Sequence, residues 1–177
     1  LKDIIKSGKI KTVRLTEIFR QARESAIIMN AHRINSGEEP VMNEKGTDFF
    51  FVGDPYAQDI PEKIVELITK RLPGFTGAES FADMQVLTPM RKGAIGAAGL
   101  NKTLQNALNP PSKEKNEYET SSGVFREGDK VMQTKNNYKL EWEIRGNYNL
   151  VIKKGEGIFN GDVGIVREIN DYASFMI

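Results

Sequence analysis

A run of strand, loop and helix over residues 13–37 constrains the fold more than any other part of the chain. It reads VRLTEIFRQARESAIIMNAHRINSG. Thr12 to Leu15 has the texture of a short strand. A loop carrying Phe19, Arg20 and Gln21 follows. Ile27, Ile28, Ala31 and Ile34 then recur at helical spacing, which predicts one buried helix face. Ser25 is placed to cap that helix. Gly37 is placed to end it, where a positive φ costs glycine little. Strand, loop and helix form the unit of an α/β domain, and such domains carry chemistry in loops at the carboxyl ends of their strands. Arg20 lies in that loop. Its guanidinium is planar, always charged, and forks onto phosphate oxygens. The alternative is a surface arginine near a helix start.

The flanking text is ordered by short periodic segments. Leu1 to Lys11 reads as a short amphipathic helix ending near Gly8. Asp48 to Gly53, DFFFVG, predicts a strand buried on both faces, or alternatively a stacking platform for bases. Ile60 to Leu72 predicts a packing helix: Pro61 suits its first turn, Ile64, Ile68 and Leu72 recur every four residues, and Pro73-Gly74 ends it. No chemistry is assigned to it. Met84 to Thr88 predicts a strand that runs into Pro89-Met90-Arg91-Lys92-Gly93. Such an edge offers a hydroxyl, backbone N–H groups and cations to a single-strand phosphate backbone, unless it is only a soluble turn. Leu100, Leu104 and Leu108 predict a further helix, stopped by Asn109-Pro110-Pro111. Asn101 is expected in its first turn, where amides and free N–H groups hold phosphate.

Residues 112–123 are polar and read as a linker. The texture then changes. REGDKVMQT and GIFNGDVGIVREI are short alternating segments joined by Gly-Asp and Asn-Gly turns, which predict a small β-barrel over 124–177. Residues 139–158, KLEWEIRGNYNLVIKKGEGI, are longer than a barrel turn needs. They read as a projecting hairpin. Three roles stay open for it: gripping DNA through Lys153 and Lys154, docking on a partner through Trp142, or decorating the surface.

Composition narrows the classes. Among 177 residues there is no cysteine and one histidine, His32, so disulfides and thiol catalysis are excluded and a zinc cluster is not expected. The formal net charge is +1, so any contact with nucleic acid must come from local clusters rather than bulk charge. No apolar run is long enough for a bilayer span and the start has no signal-peptide pattern, so a cytoplasmic protein without membrane contact is expected.

The wording of several segments resembles the RecD-like DNA helicases, ATP-driven motors of helicase superfamily one related to the α subunit of bacterial exodeoxyribonuclease V. The carriers are LTEIFRQA and NAHRINSG in the opening unit, VLTPMRKG, GLNKTLQNALNPP, GDKVMQTKNNY and FNGDVGIV. The resemblance implies an α/β fold over residues 1–111, part of the second RecA-like motor domain with a parallel sheet and flanking helices. It implies a small Src-homology-three-like barrel inserted after it. By the same resemblance Arg20 reaches the γ-phosphate of ATP held between two motor domains, with Gln21 beside it, and Thr88, Pro89, Arg91 and Asn101 touch single-stranded DNA. ATP and magnesium would be bound mainly by a first motor domain. The phosphate loop G-x-x-x-x-G-K-[ST] is missing, as is a Gly-Asp followed by Gln-Leu-Pro. The barrel text stops at Ile177 before closure is expected. The chain is therefore expected to be a piece of a larger helicase or translocase, moving 5′ to 3′ in recombination and repair and inactive alone. Other helicase-nuclease subunits are possible partners. Two alternatives stand beside this: the helicase segment of a conjugative relaxase, and a non-catalytic module that docks nucleic acid or protein.

Overall fold

The computed structural model describes residues 1–13, 25–77, 81–121 and 123–170, with the backbone of 175–176. The chain divides into two compact units, Leu1–Asp54 and Pro55–Ile177.

The first unit holds helices α1 (Lys2–Lys6) and α2 (Ala26–Asn35). α1 stops at Ser7, before Gly8 at φ +64°, as its sequence predicts. α2 has the expected bounds but a different buried set. Ile28 and Asn30 go inside, whereas Ile27 and Ile34 are 47% and 56% exposed. The reason is Asn30. Its amide donates to the Val41 carbonyl and accepts from the Val41 N–H, both at 2.7 Å, as a neighbouring strand would. This pins the returning segment to the helix and sets which face is covered.

Both ends of α2 follow from named groups. Ser25 has the extended backbone of a cap residue, but its hydroxyl donates to Asp48 Oδ2 at 2.6 Å. Asp48 Oδ1 accepts from the Ile27 N–H at 3.3 Å, so a carboxylate from a distant loop satisfies the helix start and meets its positive dipole. At the other end Gly37 takes φ +81°. The Gly37 N–H bonds the Ile34 carbonyl at 3.1 Å and the Glu38 N–H bonds the Arg33 carbonyl at 2.8 Å, the two bonds of a Schellman end.

The expected parallel sheet does not occur among the described residues. Every strand pair there is antiparallel. Residues 48–53 form irregular backbone: the Phe51 N–H donates to Asn43 Oδ1 at 2.8 Å, a side chain standing where a ladder partner would be. Phe50, Phe51 and Val52 are 46%, 61% and 46% exposed, not covered on two faces. Residues 84–88 likewise make no ladder. The carbonyls of Ala82 and Met84 instead accept from Lys130 Nζ at 2.7 Å each. A strand exists only against a partner, and parallel partners come from chain a crossover away. Apolar runs alone do not supply one.

In the second unit, α3 (Ile60–Glu66), a π-helical turn (Leu67–Arg71) and α4 (Leu72–Thr76) follow without a break. Pro61 and Ile68 are buried. The stop expected at Pro73-Gly74 is displaced to Gly77, which takes φ +70°. Pro73 stands just after the π turn, whose wider spacing makes room for its ring and missing N–H. α5 (Ala97–Leu108) buries Leu100, as its spacing predicts.

The strand-rich part begins inside the segment expected to be a linker. β1 (Glu117–Thr120) pairs with β2 (Gly123–Arg126). β3 (Lys130–Met132) pairs with β6 (Val163–Ile165), which brings GDKVMQ against FNGDVGIV. β4 (Asn137–Arg145) and β5 (Val151–Ile158) form the long hairpin, and β7 (Glu168–Ile169) pairs with β8 (Phe175–Met176). Val166 and Ile169 are the buried apolar residues at this end.

Candidate functional site

Arg20 and Gln21 lie outside the described residues. The second group of candidates sits on a loop, 88–96, folded onto the start of α5. Thr88 is half-buried, and its hydroxyl is used inside the loop: it donates to the Ile95 carbonyl at 2.8 Å and accepts from the Met90 N–H at 3.3 Å. The Ala97 N–H bonds the Met90 carbonyl at 2.9 Å. The Ala98 N–H reaches the Arg91 carbonyl at 3.5 Å. A β-carbon at Gly96 or Gly99 would collide with the loop backbone, so both glycines are needed for this close seat.

The result is a tight latch that holds Pro89, Arg91 and Lys92 at the surface. Two helix-start N–H groups of α5 are already spent on loop carbonyls, so that end is less open to an anion than its sequence implies. Asn101 is exposed, and it is the fifth residue of α5 rather than part of the first turn. Among the candidates Pro89, Arg91 and Asn101 are thus exposed, and the Thr88 hydroxyl is engaged within the loop.

The far end of α5 is locked by a buried polar cluster. Asn109 Nδ2 donates to Asp129 Oδ1 at 2.7 Å and to the Glu127 carbonyl at 3.0 Å. Gln105 Nε2 donates to Asp129 Oδ2 at 2.6 Å, and the same oxygen accepts from the Arg126 N–H at 2.7 Å. The Arg126 side chain bonds Glu117 Oε1 at 2.5 Å and the Asn109 carbonyl. Lys115 donates to Asn109 Oδ1. Asn109, Arg126 and Asp129 are each under a tenth exposed, and every group is matched, as burial of charge demands. The loop, α5 and the first strands therefore form one connected scaffold.

Comparison with known proteins bears on what this scaffold belongs to. Residues 100–177 match the family described as the ATP-dependent RecD-like DNA helicase SH3 domain. The ATP-dependent RecD2 DNA helicase of Deinococcus radiodurans is 36% identical over 155 residues, which is 88% of this chain. The chain belongs to the RecD-like helicase family. It spans 18% of that relative's length. The strand-rich part of this RecD-like chain is accordingly SH3-like, as its motifs imply.

The motif residues of the RecD-like chain are now seen to do structural work that spacing did not reveal. The Gly128-Asp129 pair reads as a turn in sequence, yet Asp129 is the hub of the buried cluster. Asn109 reads as a helix stop, yet it bonds partners almost twenty residues away. Glu127 accepts from the Ile169 N–H at 2.9 Å and from the Asn116 N–H at 3.1 Å. These bonds, the Ile169 one first, hold its carboxyl below the usual range. The residues share no local period, so only the fold brings them together.

Among the described residues no group of three or more His, Asp or Glu is placed to hold a metal ion. None of the described helices is long and apolar enough to cross a membrane. His32 lies exposed on α2.

Proposed function

We propose that the full-length protein is an ATP-driven DNA helicase or translocase, moving 5′ to 3′ along a single strand and serving recombination and repair. The observation that carries this is the spread of the likeness: 36% identity extends over 88% of the chain, not over the SH3-like part alone. In this reading residues 1–111 belong to the second of two motor domains. ATP and magnesium are held mainly by the first. Arg20 enters the nucleotide site from this side, with Gln21 next to it, and stabilises charge on the transferred phosphoryl group. Without a phosphate loop the chain alone is assigned no turnover. Closure of the two domains on ATP and reopening after hydrolysis shift the grip on DNA.

The DNA track on this side is the 88–96 loop. Arg91 meets backbone phosphates. Asn101 adds a polar contact. Thr88 and Pro89 stand beside the DNA strand, the Thr88 hydroxyl closing the loop. Such contacts position a strand without reading its sequence. The test is Arg91→Ala in the full-length protein, with single-stranded DNA affinity measured against salt. Binding is expected to weaken alike for all sequences, and the salt slope to fall by about 1. An unchanged slope and affinity would remove Arg91 from the track.

A further inference from the structure

The β4–β5 hairpin is a two-stranded ribbon with register irregularities between Asn137 and Glu141 and between Ile144 and Arg145, side-chain braces, and an unusual tip. Trp142 lies over Gly155, where any β-carbon would collide with the indole. Lys153 Nζ sits 5.7 Å from the centre of that ring, within cation–π reach. Glu143 bonds both Lys154 at 2.8 Å and Arg145 at 2.9 Å, tying the two strands across the pair Glu143 and Lys154. Trp142 is therefore half-buried and spent within the ribbon.

The tip beyond these braces is different. Gly146 bonds back to the Leu150 carbonyl at 2.9 Å, closing a turn in which Tyr148 and Asn149 take φ +60° and +59°. Two successive non-glycine residues in the left-handed region are uncommon, and for a bulky side chain the conformation is costly. Tyr148 gains no burial in return: it is 96% exposed, with Leu150 and Ile152 at 67% and 72%. The distal half of the ribbon, 142–155, carries Arg145, Lys153 and Lys154 against the single carboxylate of Glu143. An exposed ring at the end of a braced, net positive ribbon matches the chemistry of an unpaired base in a charged strand. Apolar side chains that enter base steps are used in this way, and stacking on aromatics tolerates any sequence.

We propose that Tyr148 at the hairpin tip stacks on an unpaired base of single-stranded DNA, whose backbone the net positive charge of residues 142–155 attracts. This rests on the reading of the protein as a DNA motor, and it names a contact separate from the 88–96 loop.

The experiment is ATP-free binding of the 177-residue chain to a fluorescein-labelled single-stranded oligonucleotide. A second oligonucleotide carrying 2-aminopurine reports stacking. Tyr148→Ala is expected to weaken binding roughly 5- to 100-fold and to abolish the 2-aminopurine change. Tyr148→Phe and Tyr148→Trp are expected to keep both. Tyr148→Gly relieves the positive φ, so its folding is safe, and it is expected to behave like the alanine variant. Wild-type affinity in Tyr148→Ala overturns the proposal. If Arg91→Ala weakens binding in the same assay while Tyr148→Ala does not, the DNA reading stands and the tip assignment falls. A wild-type chain that binds no oligonucleotide, or that instead dimerises through the hairpin, overturns it as well.

Discussion

Asn109 joins the end of α5 to the turn between β2 and β3. Its side chain serves Asp129, the Glu127 carbonyl and Lys115 at once. Asn109→Ala leaves a buried carboxylate oxygen and a carbonyl short of donors. The cost of orphaning such groups is about 1–3 kcal/mol each, more when charged. Urea unfolding followed by the fluorescence of Trp142, which lies in the same compact unit, is expected to show a loss of that size. A shift under about 0.5 kcal/mol, the range of ordinary surface changes, would contradict the role. The sequence showed this residue only as a helix stop before two prolines. Its partners Glu127 and Asp129 stand in another motif, and no local spacing connects them. Thr88 shows the same limit. A hydroxyl at a strand end suggested a phosphate ligand, and the fold uses it to close a loop.

The elements divide by what ends them and what covers them. Ends were legible. Gly8 and Gly37 lie where φ turns positive, and the leucine spacing of α5 gives its bounds. Coverage was less legible. Asn30 claims the buried side of α2 because its amide can imitate a strand, which an apolar count does not register. Pro73 did not break its helix, because a π turn precedes it. The caps and braces of these elements depend on carboxylates held in charged form. The Ser25 hydroxyl lowers Asp48, the Ile169 N–H lowers Glu127, and Lys154, then Arg145, lower Glu143.

A lowered folded pKa means that the stability these groups bring is full above the unfolded values, about 3.9 for Asp and 4.3 for Glu, and is lost as pH falls through the folded values. Carboxyl carbon NMR titration is expected to give midpoints below those values at all three positions. Midpoints at or above them would contradict the bonding described for the α2 cap, the Asn116–Glu127 contact and the hairpin brace.

At the scale of the whole molecule, the SH3-like part was readable because its motifs pair with each other. GDKVMQ carries β3 and FNGDVGIV leads into β6, and the two strands pair with each other. The α/β unit was read from wording alone, and no parallel strand pair occurs among the described residues. Phe50, Phe51 and Val52 lie about half exposed on irregular backbone. The same division separates what sequence likeness carries from what geometry carries. Likeness gives the family and motivates Arg20. Geometry gives the latched loop, the buried cluster and the braced hairpin.

The proposed motor function requires the Arg20 guanidinium to act at a nucleotide bound by another part of the protein. The measurement is the DNA-stimulated ATPase rate of the full-length protein with Arg20→Ala. The rate is expected to fall by about 10³-fold or more, the scale of losing an arginine finger, while single-stranded DNA affinity stays near wild type. Turnover equal to that of the unaltered protein would contradict the motor reading at its centre.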